Sequence, residues 1–199
     1  MEALTLFSQR GYEGVSVKEI AAAVGIKDSS LYKHFSSKRA IFEAIFAEMD
    51  LEYAAVIESW GFPMGSLQEV ADHFGHGSVE MLLYISHQVF GHFLKDPFAA
   101  KFRRMLTIEQ YNDAQSSASY QNFFIDTAIS FQTELFSQMI ASGYFREADP
   151  YVVALHFYAP IYLLLNEYDR KPEAEAEALE KLDRHILQFA RLYEKETKA

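Results

Sequence analysis

Residues 16–38 read SVKEIAAAVGIKDSSLYKHFSSK, and the fold turns on this stretch. Ser16 is placed as an N-cap. Val17, Ile20, Ala21 and Val24 then recur at i, i+3, i+4 and i+7, the period of a short amphipathic helix. Gly25 ends that helix and permits a sharp turn without Cβ strain. Ile26 is apolar, and Asp28 or Ser29 can cap a further helix carrying Leu31, Tyr32 and Phe35. Ala21 is small where two helices must cross closely, and Ile26 and Leu31 can plug the angle between them. A helix-turn-helix has these requirements at this spacing.

Outward from this stretch the pattern stays helical. Ala3, Leu4, Leu6 and Phe7 mark a first helix, with Gly11 as its stop. Ser36 or Ser37 caps a fourth helix, with Ile41, Phe42, Ile45, Phe46 and Met49 on its inner face, running to about Trp60 before Gly61-Phe62-Pro63 breaks it. Ser66 to Glu69 fits a capping box, and Gly75 and Gly77 are placed to bend the helix that follows. Asp96-Pro97 starts another. Asn112 to Ser119 is the most polar stretch and reads as a loop. Tyr120–Ser142 is a long periodic helix, and Ala148-Asp149-Pro150 opens one to about Tyr168. After a break at Lys171-Pro172, Glu173–Lys195 forms a charged amphipathic helix. No period-2 alternation of useful length and no internal repeat occurs. The expected class is all-α with nine or ten helices, in a helix-turn-helix domain over 1–46 and a larger C-terminal helical domain over 47–199.

Composition agrees. Of 199 residues half are apolar and 15% aromatic, which excludes a disordered chain and suffices for a sizeable core. Cys is absent, which removes disulfides, thiolate metal sites and cysteine nucleophiles. The longest uncharged run, Pro150–Asn166, is shorter than the about 20 residues of a membrane span. A cytoplasmic protein with no membrane partner is expected. The net charge of −10 argues against a polyanion partner, but its distribution does not. Residues 1–40 hold six basic and four acidic side chains, a balance of +2; the rest holds 12 and 24, a balance of −12. A basic head on an acidic body is the pattern of a chain whose head alone meets nucleic acid.

In a helix-turn-helix the second helix of the pair enters the major groove, while caps and lysines nearby hold phosphates. The side chains free to do so are Lys27, Asp28, Ser29, Ser30, Tyr32, Lys33 and His34. The residues L-F-S-Q-R-G-Y at 6–12, V-S-V-K-E-I-A at 15–21, V-G-I at 24–26 and S-L-Y-K-H-F-S-S-K at 30–38 resemble the DNA-binding domain of the TetR/AcrR family of transcriptional regulators. Gly143-Tyr144-Phe145-Arg146 before Asp149-Pro150 is similar to that family's late connector. The resemblance implies roles. Ser16 and Lys18 lie near the DNA backbone. Ser29, Ser30 and Lys33 reach into the groove, with Lys27 and Asp28 at its rim. Tyr32, His34 and Lys38 pair with phosphate. Family members usually carry further, often basic, residues ahead of the first helix, so it also implies a short phosphate-binding arm or a start upstream of Met1.

Such regulators bind pseudo-palindromic DNA operators as homodimers. Here Tyr120–Ser142 and 150–168 are each apolar on two sides and need two partners. Ala128, Phe131, Leu135, Leu155, Ala159 and Tyr162 are the expected dimer contacts. The resemblance further implies a small-molecule effector in the C-terminal domain, with the fourth helix as the lever that moves the heads apart. Trp60, Phe74, Met81, Tyr84, Phe102, Met105, Tyr111 and Phe124 suit a lipophilic or aromatic effector. Repression is the family's common mode, and activation is the alternative. His73 and His76 stand at i, i+3, but no cysteine and only loose carboxylates accompany them, so no metal site is expected. An all-α metal enzyme would want Glu-x-x-His, which does not occur; no nucleophile elbow or phosphate loop occurs either. No catalytic residue and no cofactor is expected.

Overall fold

The computed structural model describes residues 1–59 and 67–195, and their side chains except at positions 57, 67, 68, 70, 73–78 and 172. Its helices are α1 (Glu2–Arg10), α2 (Val17–Val24), α3 (Asp28–Leu31), α4 (Lys38–Ser59), α5 (Leu67–Lys95), α6 (Pro97–Glu109), α7 (Ala114–Gln121), α8 (Thr127–Ala141), α9 (Pro150–Tyr168) and α10 (Glu175–Tyr193). A π-turn over Asn122–Asp126 joins α7 to α8, and a 3-10 turn over Pro172–Ala174 precedes α10. Among the described residues the one β pairing is an isolated bridge, Phe145 with Glu194. The class is all-α, as the hydrophobic period predicts.

The caps explain most boundaries. Ser16 and Glu19 form a reciprocal capping box at α2, and Gly25 ends that helix in the left-handed region at φ +79°. The Ser37 hydroxyl accepts from Ala40 N at 3.1 Å at the start of α4. Asp96 caps α6 through Phe98 N and Ala99 N, and Asp149 caps α9 through Tyr151 N. In both, Pro follows as the first helical residue, where its missing N–H costs nothing.

Two local readings are corrected. The polar stretch Asn112–Ser119 is not a loop. The Asp113 carboxylate accepts from Ser116 N at 2.8 Å and so starts α7; a good cap outweighs weak amphipathicity. The helix after Gly25 is also shorter than expected. Lys27 occupies the N-cap position with no side-chain bond. After Leu31 the backbone tightens into i→i−3 bonds, Lys33 N to Ser30 O and His34 N to Leu31 O.

The chain falls into two compact units, Met1–Ile57 with Lys95–Asn122, and Glu58–Leu94 with Phe123–Ala199. Compactness thus divides it differently from a functional boundary at 46/47. The first unit buries Leu4, Phe7, Ile20, Leu31, Phe42 and Met49 with Phe102, Met105 and Leu106 of α6. The second centres on the rings of Phe136, Phe145, Phe157 and Phe189, with centroids 5.0–5.9 Å apart.

Candidate nucleic-acid interface

The surface around α3 is built by its neighbours. Ile20, Ala21 and Leu31 are buried, which fixes α2 against α3 by apolar contact. The turn between them is closed by Ile26 N bonding to Ala21 O at 3.0 Å. With those side chains inward, the others turn out. Lys27, Asp28, Ser29, Lys33 and His34 are exposed, Ser30 is half-buried, and Tyr32 is 53% exposed. Together they present one polar, hydroxyl-bearing and basic surface, the composition that reads base edges and phosphates.

Ser16 and Lys18 are exposed at the start of α2. Ser16 Oγ donates to Glu19 Oε2 at 2.7 Å and accepts from Glu19 N at 3.3 Å, while Ser16 N donates to Glu19 Oε2 at 2.8 Å. Arg10 Nη1 bonds Glu19 Oε1 at 2.8 Å. These bonds to the charged form hold the Glu19 carboxyl at about 2, well below the ordinary 4.5. The Ser29 backbone N–H donates to Asp28 Oδ1 at 2.9 Å, so Asp28 serves its own helix start.

Lys38, expected at phosphate, has its ammonium turned inward. Nζ donates to Tyr12 O at 2.9 Å and Val15 O at 3.1 Å, and stands 4.1 Å from the centre of the Tyr12 ring. It clamps the α1–α2 corner to the start of α4. Arg39 is likewise engaged within the chain, by Glu43 at 3.1 Å, by Asp113 at 3.8 Å and by Gln115.

Residues 2–45 match the family model for bacterial regulatory proteins of the TetR family. The head is a TetR-family DNA-binding domain. The biofilm operon icaADBC negative transcriptional regulator IcaR of Staphylococcus aureus is 54% identical over 41 residues, 21% of this chain and 22% of IcaR. The chain therefore spans about a fifth of the length of that curated relative. Two solved structures extend the likeness in fold. PfmR, a TetR-family regulator of Thermus thermophilus, gives a TM-score of 0.59 at 21% identity over 98% of this chain and 97% of its own. AibR, solved with isovaleryl coenzyme A and operator DNA, gives 0.62 at 20% identity over 92% of each chain. The family model covers the head alone, and over the rest of the chain the likeness to these solved regulators is one of fold.

The expected TetR-type effector residues fall in different parts of the chain. Phe102 and Met105 are core residues of the first unit, and Tyr111 lies at its surface, 84% exposed. Met81 is half-buried, Tyr84 exposed and Phe124 buried in the second. Trp60 lies outside the described residues, as do the side chains of Phe74, His73 and His76. Of the expected dimer contacts, Leu135 belongs to the core at 4% exposure. Ala128, Leu155 and Tyr162 are half-buried, and Phe131 and Ala159 are exposed. Sequence reasoning missed Glu109, which reaches Tyr12 N across 97 residues of chain; no local pattern announces a contact of that range.

Proposed function

We propose that this chain is a ligand-responsive transcriptional repressor. It binds a pseudo-palindromic operator as a homodimer and is released by a small lipophilic or aromatic effector held in the second unit. The observation that carries the reading is the outward face of α3, where Ser29, Lys33 and His34 stand exposed over a buried Leu31. Ser29, Ser30 and Lys33 read bases. Lys18, Lys27, Tyr32 and His34 hold phosphate, with Ser16 beside them. Repression is supported by IcaR, a negative regulator.

Dimerisation is supported by α9. Its buried side carries Val153, Ala154, Ile161, Leu164 and Leu165, yet Val152, His156, Ala159 and Leu163 line its opposite side in the open. A helix apolar on both sides calls for a second partner. α9 packs on α10 through Phe157, whose carbonyl accepts from His185 Nε2 at 2.8 Å. On α10, Glu180 precedes Arg184, Leu187 and Arg191 on one exposed side. Antiparallel pairing with the same helix of a second copy sets acid against base, the self-complementarity a twofold contact needs. The proposed interface thus centres on α9 and α10, with Ala159 at its closest approach, and not on α8.

AibR was solved with both isovaleryl coenzyme A and operator DNA, which supports the coupling of effector to operator for this fold. The second unit also buries Ser86 Oγ and Gln132 Oε1 with no hydrogen-bond partner among the described residues, atoms of the kind a ligand satisfies. Fluorescence anisotropy on duplexes enriched by the chain tests the reading. Lys33→Ala is expected to lose preference for the enriched sequence over a scrambled one. Equal affinity of the wild-type chain for both would overturn it.

A further inference from the structure

Glu109 is the last residue of α6 and only 2% exposed. Its Oε1 accepts from Tyr12 N at 2.7 Å. It also fills the space beside Gly11, where an added Cβ would stand 2.7 Å from that same oxygen, and Gly11 holds φ +73°. The Tyr12 peptide is gripped from its other side as well, since its carbonyl accepts from Lys38 Nζ. Its ring packs between Phe7 and Phe42, with centroids 5.6 and 5.1 Å away. Three residues on, Val15 O takes a second bond from Lys38, and Ser16 then caps α2. A short segment, held by an acid on one side and a cation on the other, leads directly into the helix-turn-helix.

We propose that Glu109, outside the matched head, is a positioning residue for DNA binding. With Lys38 it fixes the Tyr12–Ser16 corner, and so sets the orientation in which α2 and α3 meet the duplex. A buried carboxylate bonded to a backbone N–H is a strong, directional contact. Its removal leaves the Tyr12 N–H without this acceptor and so loosens the corner. α6 thereby has a direct mechanical hold on the reading head. Lys101 of α6 adds a second, through Nζ to Thr5 Oγ1 at 2.9 Å on α1. The proposal rests on the DNA-binding reading above and assigns to Lys38 a structural bond in place of a phosphate contact.

The test uses the full chain and a duplex that the wild type enriches from a randomised library, with hydrogen–deuterium exchange of the DNA-free protein in parallel. Glu109→Ala is expected to weaken duplex binding about tenfold, with an unchanged dependence of affinity on salt, because no phosphate contact is lost. Exchange over Tyr12–Ser16 rises. Glu109→Gln, which keeps an acceptor, recovers most of both. Lys38→Met gives the same pattern, an unchanged salt slope included, and supplies the reading should Glu109→Ala fail to fold. Wild-type exchange and wild-type affinity in Glu109→Ala would overturn the positioning role alone. So would a salt slope about one lower in Lys38→Met. A wild-type chain that enriches no duplex would overturn the DNA reading, and the positioning role with it.

Discussion

At the residue scale, the Glu19 carboxylate accepts from Ser16 N, Ser16 Oγ and Arg10 Nη1. These bonds stabilise its charged form, so the folded chain releases this proton more readily than the unfolded one. The sign of the pH effect follows. Stability from this group is complete above the ordinary 4.5 and is lost as pH falls toward about 2. The difference in urea midpoint between wild type and Glu19→Gln should hold steady from neutral pH to about 5 and shrink below 4.5. A difference independent of pH would contradict the capping box. Ser16→Ala removes the other half of the box and should cost about 1 kcal/mol, read from the same curves. Lys18 faces outward at the same helix start. Lys18→Ala should weaken binding to all duplexes alike and lower the salt slope by about one.

At the element scale, the proposed homodimer rests on α9. Leu163 is 67% exposed on the far side of a helix whose other face is core. Leu163→Glu should leave helix content unchanged and shift the chain toward monomer in sedimentation; an unaltered dimer would remove α9 from the interface. The legibility of elements in the sequence varied for physical reasons. Helices with an apolar stripe and a capping residue could be read, as at Ser16 with Val17, Ile20 and Ala21, or at Asp149-Pro150. α7 could not, because its residues are small and polar and its existence rests on Asp113 reaching Ser116. The surface left for a partner was only half legible. Periodicity marks α8 and α9 as apolar on two sides, but not which side the chain's own core takes, and Leu135 went to the core. The exposed side chains proposed to face bases could be named from the sequence, because a four-residue α3 with one buried Leu leaves few choices. Lys38 and Glu109 were not, since their partners are backbone atoms of a distant corner.

At the scale of the whole molecule, charge and symmetry carry the account. A net −10 disfavours approach to DNA at long range, and the exposed Lys18, Lys27 and Lys33 around α2 and α3 oppose this locally. One head with a four-residue reading helix touches too few bases to select a site; two heads related by a twofold axis touch enough. In the proposed mechanism, an effector that favours a wider separation of the heads releases the operator, by the difference between its affinities for the two states. The most direct measurement is enrichment of a fully randomised duplex library by the intact chain at moderate ionic strength, followed by sequencing. The account predicts an inverted repeat whose half-sites lie about one helical turn, roughly 34–36 Å, apart. Enrichment of sequences without twofold symmetry, or none at all, would contradict it.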